Sequence, residues 1–284
     1  MSRGLGDVYK RQVPLILFAV STETSITQLF LAGLGPGLLV AASLIVMVQV
    51  WCRVKGYGKE DGDDRQPLLK ATANAFWALL MPVIILGGIY GGVFTPTEAA
   101  AVAVFYALVL GLFVYREMKV SDLPELFRSA AVSSGAVMLI IAAASLFSFL
   151  VSLSGMPNAI GEWAQTTFGA AWSFLLAINV LLFFVGMFVE TAAAILVLAP
   201  ILTPVAIAFG IDPVHFGVVV VVNLALGMFT PPLGVNLFAA AQVAEIPVER
   251  LFKTLVLPVT TVISALMIIT YVPQVSLFLR DLVF

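Results

Sequence analysis

Two short stretches combine glycine, proline and oxygen-bearing side chains within apolar sequence: GMFVETAA (residues 186–193) and GMFTPPLG (residues 227–234). Pro231 and Pro232 donate no N–H, and a proline disfavours helical geometry in the residue before it. Backbone polar groups in hydrocarbon must be paired, so an interrupted helix persists only against protein or at a water-filled site. The freed carbonyls and the Thr230 hydroxyl offer hard oxygen ligands suited to Na⁺. A proline kink whose polar groups are satisfied by neighbouring helices is the structural alternative.

The candidate ion- and substrate-binding residues come from both stretches and from two amides near the second one. They are Gly186, Glu190, Thr191, Asn223, Gly227, Thr230, Pro231, Pro232, Gly234 and Asn236. Glu190 has three open roles: it completes an ion site, carries a coupling proton, or lies at the start of a helix near Thr191, where the helix dipole favours a negative charge.

A second acidic residue, Glu98, belongs to a different pattern. Thr95, Pro96, Thr97 and Glu98 fit the N-cap, N1, N2 and N3 positions of a capping box. We therefore expect a structural cap at Thr95, Pro96 and Glu98 rather than a transport site. The preceding GGIYGG stretch (87–92) contains two GxxxG pairs, which favour close packing of membrane helices.

The elements that must position these residues are membrane helices. Of the 284 residues, 61% are hydrophobic and only 11% are charged, whereas soluble domains average about 45–50% and about 25%. One cysteine and one histidine exclude an internal disulfide and a histidine-based metal centre. The net charge of −2 offers no field for nucleic acid. The sequence contains no HExxH, GxSxG or Walker A motif, so we expect neither an enzyme nor a cofactor.

Long apolar runs predict an all-α polytopic membrane protein. They fall at about 29–51, 74–94, 97–115, 130–153 and 255–279. Between 170 and 243 the apolar stretches are shorter, which predicts a re-entrant hairpin over about 170–209 and a broken transmembrane helix over about 214–243. Residues 1–12 are polar and differ from the apolar sequence that begins at Val13, so we interpret them as a non-native or scar segment.

The distribution of basic residues supports a hairpin that enters and leaves by one face. Segments 51–70, 116–128 and 244–254 contain ten Lys and Arg residues, whereas 95–97, 154–169 and 210–214 contain none. All three basic loops fall on one side only if 170–209 does not cross the membrane, and the positive-inside rule makes that side cytoplasmic.

Three stretches together resemble the large membrane subunit of tripartite ATP-independent periplasmic (TRAP) transporters, in the ion-transporter superfamily. They are SITQLFLAGLGPGLL (25–39), GGIYGGVFTPTEAAAVAVFYAL (87–108) and the long run from Gly186 to Phe238. The resemblance implies inverted repeats with an elevator-like movement. It also implies that the first repeat is incomplete here, with 13–28 as the remnant of its broken helix. The remaining divisions are 29–153 as scaffold and connecting helices, 154–243 as the second-repeat transport domain, and 244–284 as a loop and last transmembrane helix.

The same resemblance implies a function and partners. It implies Na⁺-coupled uptake of organic acids, such as C4-dicarboxylates or sialic-acid-like carboxylates, across the bacterial inner membrane. A periplasmic substrate-binding protein would deliver the solute, and a small four-helix membrane subunit would brace the scaffold. By position, the second Na⁺ site would lie at Gly186, Gly227 and Thr230.

Two other functions remain open from the residues themselves. One is an ion-coupled antiporter of the same superfamily without a binding protein, favoured if Glu190 titrates with transport. The other is a non-transporting membrane assembly fragment, in which packing alone explains the glycine and proline motifs.

Overall fold

A computed structural model describes residues 14–56, 68–231, 234, 236–237, 240–241 and 247–284. The predictions for residues 1–12 and for Pro232 lie outside these residues. The described chain forms eleven α-helices and no strand. They are α1 (Pro14–Thr22), α2 (Ile26–Lys55), α3 (Leu68–Tyr90), α4 (Pro96–Val109), α5 (Leu123–Leu153), α6 (Met156–Phe168), α7 (Ala171–Phe188), α8 (Thr191–Ala208), α9 (Pro213–Gly227), α10 (Val248–Tyr271) and α11 (Gln274–Val283).

Six helical segments of the described residues are long and apolar enough to cross a membrane, so the all-α polytopic class is confirmed. The span predicted at 255–279 is wrong at its C-terminal end. Helix α10 ends at Tyr271, and Pro273 is the N-cap of the short amphipathic helix α11. Pro273 donates no N–H and restricts Val272 before it, whose ψ of 81° is not helical.

The contacts divide the chain into two compact units. One comprises Met1–Lys55 and Ile140–Phe284, and the other Gly56–Leu139. These units do not test the predicted scaffold and transport domains, which remain a prediction. Every described candidate residue between 186 and 236 belongs to the first unit.

Helices α7 and α8 of the first unit form an antiparallel hairpin. The turn consists of Val189 and Glu190, both in extended geometry. The start of α7 and the end of α8, which lie away from the turn, also meet, since the Phe174 and Phe209 rings stack with centroids 4.6 Å apart. The chain therefore returns to the end from which it entered, which is the geometry that a re-entrant hairpin requires.

The turn of the hairpin lies level with the middle of a long helix. Gly186 near this turn contacts Gly227 at the end of α9. Next to Gly227, Leu226 and Phe229 pack in one cluster with Val259 and Val262 of α10. Val259 lies about 16 Å from the start of α10 and about 18 Å from its end, at 1.5 Å per residue. The break at the end of α9 is therefore as deep as the midpoint of α10.

The capping box in the second unit is confirmed. The Thr95 hydroxyl accepts from the Glu98 N–H at 3.3 Å, and a Glu98 carboxylate oxygen accepts from the Thr95 N–H at 2.8 Å. Pro96 is the first helical residue of α4.

The GGIYGG stretch ends a helix, so the helix-packing prediction is corrected there. Gly92 has φ of +68°. The Val93 N–H donates to the Gly88 carbonyl at 2.9 Å, and the Gly92 N–H donates to the Ile89 carbonyl at 3.2 Å. This is a Schellman cap, whose left-handed position favours glycine because glycine has no Cβ.

Candidate functional site

The centre of the candidate site is a close crossing of α7 and α9. A Cβ placed on Gly227 would lie 2.6 Å from the Gly186 Cα, and one placed on Gly186 would lie 3.0 Å from the Leu224 carbonyl oxygen. Real Cβ atoms do not approach backbone as closely as the first distance, so only glycine fits at position 227, whereas the contact at Gly186 is tight. Both glycines are buried, and their contact joins the hairpin turn to the end of α9.

The helix of α9 gives way to a tight turn after Gly227. The Thr230 N–H donates to the Gly227 carbonyl at 3.0 Å, and the buried Thr230 hydroxyl donates to the Leu226 carbonyl at 2.8 Å. Because that hydroxyl uses its proton on Leu226, its oxygen lone pairs remain for another partner. The sequence prediction of a break at Thr230 and Pro231 therefore agrees with the described backbone.

The chain folds back over this turn at Gly234. The Asn236 N–H donates to the Met228 carbonyl at 3.1 Å, and the Leu237 N–H donates to the Gly234 carbonyl at 2.9 Å. A Cβ on Gly234 would lie 2.8 Å from the Met228 oxygen and 2.9 Å from the Thr230 oxygen. Gly234 thus lies within a group of backbone oxygens, which explains a glycine at this position.

The start of α8 also contacts the break. The Thr191 hydroxyl lies 2.9 Å from the Met228 sulfur, and Thr191 is buried. Sequence reasoning included Thr191 but missed Met228, because a methionine in apolar sequence carries no sign of such a contact.

Glu190 occupies the N-cap position of α8 but forms no cap hydrogen bond with its side chain. The residue is exposed. Its carbonyl accepts the Ala194 N–H at 2.9 Å, so the backbone starts the helix without the carboxylate. The structural role considered for Glu190 is therefore limited to its position at the positive end of α8.

Asn223 lies one turn before Gly227 and faces a buried amide network. Its Nδ2 donates to the Asn179 carbonyl at 3.0 Å and to the Asn179 side-chain oxygen at 2.8 Å. Asn179 in turn donates to the Thr270 hydroxyl at 3.0 Å. All three residues are at most 2% exposed. Asn223 therefore joins α7, α9 and α10 beneath the break. Sequence reasoning missed this network because Asn179 is 44 positions from Asn223 and 91 positions from Thr270.

A second polar cluster fixes the outer end of α9. The His215 ring nitrogens lie 2.7 Å from the Ser276 hydroxyl and 3.2 Å from the Thr270 carbonyl. Asp212 caps α9 by accepting from the His215 N–H at 3.2 Å, and it pairs with Arg280 at 2.6 Å. The His215 ring is buried, and both of its nitrogens have hydrogen-bond partners.

The charge state of Asp212 is set by these contacts. Burial works to raise the pKa of its carboxyl, but hydrogen bonds from Arg280, His215 and Val214, with the positive charge of Arg280, hold that pKa below its ordinary value. Burial works to lower the pKa of Arg280, but its hydrogen bonds and charge interactions with Asp212 and Asp281 raise that pKa above its ordinary value. The cluster therefore ties α11 to the start of α9 as an ion pair.

The site can supply hydroxyl and backbone oxygens but not a multidentate carboxylate or histidine set. No group of three or more His, Cys, Asp or Glu side chains with metal-binding spacing occurs among the described residues. Such a site suits a weakly held monovalent cation better than a transition metal. A hairpin turn against a broken helix is the arrangement that surrounds the ion and substrate sites of many membrane transporters.

Comparison with known proteins gives the family. Residues 12–275 match the family model described as "Tripartite ATP-independent periplasmic transporter, DctM component". The chain belongs to this DctM family of TRAP transporter large permease proteins, and it is a multi-pass protein of the bacterial inner membrane.

Three relatives illustrate the similarity. The chain is 40% identical, over 98% of its length, to the C4-dicarboxylate TRAP transporter large permease protein DctM of Pseudomonas aeruginosa. It is 38% identical over 98% to the sialic acid TRAP transporter large permease protein SiaM of Vibrio cholerae. It is 41% identical over 93% to the isethionate TRAP transporter permease protein DctMQ of Oleidesulfovibrio alaskensis. The chain covers 65%, 65% and 42% of these relatives, respectively.

Proposed function

We propose that this protein acts in Na⁺-coupled uptake of organic acids as the permease subunit of a binding-protein-dependent secondary transporter. The observation that carries the proposal is the contact between the hairpin turn and the break after α9, at the Gly186–Gly227 crossing. It brings backbone oxygens close to the Thr230 hydroxyl, and the free lone pairs of these oxygens could coordinate an ion at a break in a membrane helix.

The proposed Na⁺ site comprises Gly186, Gly227 and Thr230. Thr230 can act as a ligand because its hydroxyl donates to Leu226 and keeps lone pairs for a cation. Gly227 contributes by its closeness to Gly186, which leaves no room for a side chain between the two helices. Na⁺ acts here as the coupling ion, and no other cofactor is proposed.

The proposed substrate is an organic anion held at the start of α8. The first N–H groups of a helix have no partner within it, and the helix dipole favours negative charge there. The Glu190 side chain does not occupy these donors. Residues 171–241 contain no Lys or Arg, so the helix end and hydroxyls would bind the anion instead of a buried cation. The names of the relatives, for C4-dicarboxylate, sialic acid and isethionate, support an organic acid.

The proposal includes the two partners and the movement of TRAP transporters. A periplasmic binding protein would deliver the acid, and a small four-helix membrane subunit would brace the permease. An elevator-like movement of the transport domain with its ion is part of the same proposal and follows from the family resemblance.

The ion site is tested by ²²Na⁺ binding to the purified full-length permease. Thr230→Val removes the hydroxyl and keeps the branched shape, and Thr230→Ser keeps the hydroxyl as the matched control. Valine leaves no orphaned acceptor, because the Leu226 carbonyl still accepts the Phe229 N–H at 3.3 Å. We expect at least about tenfold weaker Na⁺ binding for valine, or about 1.4 kcal/mol, and a smaller change for serine. If the valine and serine variants both bind Na⁺ as tightly as the wild type, Thr230 is not a ligand of the site.

The transport proposal is tested in vesicles with the complete transporter. Succinate, sialic acid and isethionate are offered with an imposed Na⁺ gradient, with and without the binding protein. We expect uptake of one of these acids only when the Na⁺ gradient and the binding protein are both present. Uptake without a binding protein would favour the antiporter alternative, and no uptake together with intact subunit assembly would favour the assembly-fragment alternative.

A further inference from the structure

An apolar groove of about 410 Å³ lies between α2 and α10, away from the candidate ion site. Its walls include Ser43, Val50, Trp51 and Val54 of α2, and Leu257 and Thr261 of α10. Val46 and Met47 of α2 also line the groove, so the α2 residues recur every three or four positions and form one face of the helix. The groove therefore runs along the axis of α2.

The length of the groove matches one leaflet of a bilayer. Ser43 and Val54 are eleven residues apart, or about 16 Å along the helix, which is about half of a 30 Å hydrocarbon core. Next to Ser43, Leu44 packs with Val262 of α10, at the level of the break after α9. One end of the groove thus lies near the membrane midplane and the other near the surface.

The surface end of the groove is positively charged. Arg53 and Lys55 lie in the last turn of α2 and are exposed. The Lys55 Nζ lies 5.5 Å from the ring centroid of Trp51, which lines the groove. Tryptophan is enriched at membrane interfaces, and basic residues beside a membrane span attract anionic lipids of the cytoplasmic leaflet.

We propose that this groove binds an anionic phospholipid of the cytoplasmic leaflet. One acyl chain lies along Val50 and Val54, and the headgroup phosphate pairs with Arg53 and Lys55. This occupant fits three features of the groove: its apolar walls, its length of one leaflet and the positive charge at one end. A partner transmembrane helix would need a seam across both leaflets, whereas this groove covers one.

Fluorescence of Trp51 tests the proposal directly. The 284-residue chain with Trp77→Phe, Trp163→Phe and Trp172→Phe keeps Trp51 as the single tryptophan of this sequence, and all three replaced side chains are exposed. The protein is reconstituted in phosphatidylcholine vesicles with an equal mole fraction of either brominated-chain phosphatidylglycerol or brominated-chain phosphatidylcholine. We expect stronger quenching by phosphatidylglycerol. Equal quenching by both lipids, or none by either, would overturn the proposal.

Two variant pairs separate the headgroup from the acyl chain. Arg53→Gln with Lys55→Gln should lower the preference for phosphatidylglycerol by about fivefold per charge, whereas Lys119→Gln with Arg128→Gln should not. Val50→Phe should weaken quenching by filling the groove. Val48→Phe, at a similarly exposed valine of α2 outside the groove lining, should leave quenching unchanged. An unchanged preference in the first double variant, or unchanged quenching in Val50→Phe, would refute the site. Neither result depends on Na⁺ binding, so this proposal and the transport proposal can fail separately.

Discussion

Replacing Gly227 with alanine should separate the hairpin from the broken helix. The added Cβ would lie 2.6 Å from the Gly186 Cα and 2.9 Å from the Gly186 carbonyl oxygen. Because carbon atoms pack best at about 3.5–4.0 Å, α7 and α9 must move apart by about 1 Å. Such overpacking costs about 1–3 kcal/mol, and the helix propensity of alanine offsets at most about 1 kcal/mol.

The structure predicts a graded series rather than a single defect. A Cβ on Gly186 meets its nearest atoms at 3.0 and 3.2 Å, so Gly186→Ala requires a shift of only a few tenths of an ångström. Gly135 in α5 has no atom within 4 Å of an added Cβ and provides the control. We expect the loss of stability to decrease in the order Gly227→Ala, Gly186→Ala, Gly135→Ala, with the last near zero or stabilising.

Two measurements on the purified full-length permease check the series. Thermal unfolding at one fixed scan rate ranks the stabilities, and ²²Na⁺ binding reports whether the oxygens still lie at the right spacing. We expect Na⁺ binding to fall most in Gly227→Ala. If that variant unfolds like Gly135→Ala and binds Na⁺ like the wild type, the close crossing does not position an ion site.

Two further predictions concern the acidic residues. Glu190→Gln should leave the unfolding free energy within about 0.5 kcal/mol, since the carboxylate is exposed and makes no cap bond, so Na⁺-dependent uptake by this variant tests the coupling role alone. An unchanged rate and pH profile of uptake would exclude the carboxylate from coupling. Asp212→Asn retains a good N-cap and removes the ion pair with Arg280, so we expect a loss of about 1 kcal/mol or less near neutral pH. Because the pKa of Asp212 is lowered in the folded protein, the greater stability of the wild type should be complete above the ordinary carboxyl pKa. It should disappear as the pH falls through the pKa of the folded protein. A stability difference that stays constant during acid denaturation would contradict this.

Local sequence was sufficient to predict the structure wherever covalent chemistry fixes the backbone. Pro231 has no N–H and fixes its own φ, so the end of α9 near Thr230 can be predicted from sequence alone. The capping box of Thr95 and Glu98 is equally local, since both hydrogen bonds join residues three apart. The glycines of GGIYGG were the exception, because a glycine pair fits both a helix contact and a helix end.

The sequence could not predict which helices pack together, for a physical reason. In soluble proteins an apolar stripe marks the buried face, but here lipid and protein interior are equally apolar. Apart from His215 and Asn223, helix α9 is apolar on all sides, so its pattern does not indicate that it packs against both α7 and α8. The same holds for Thr191 beside Met228, a contact between helices that neither segment signals.

By itself, the amino-acid sequence determined that this is an all-helical membrane protein and where its helices are interrupted, because composition and proline geometry act locally. Only the tertiary structure decided that Gly186 meets Gly227 and that Asn223 joins Asn179. Those outcomes depend on which surfaces fit at backbone distance, and fit between distant segments is a property of three-dimensional packing.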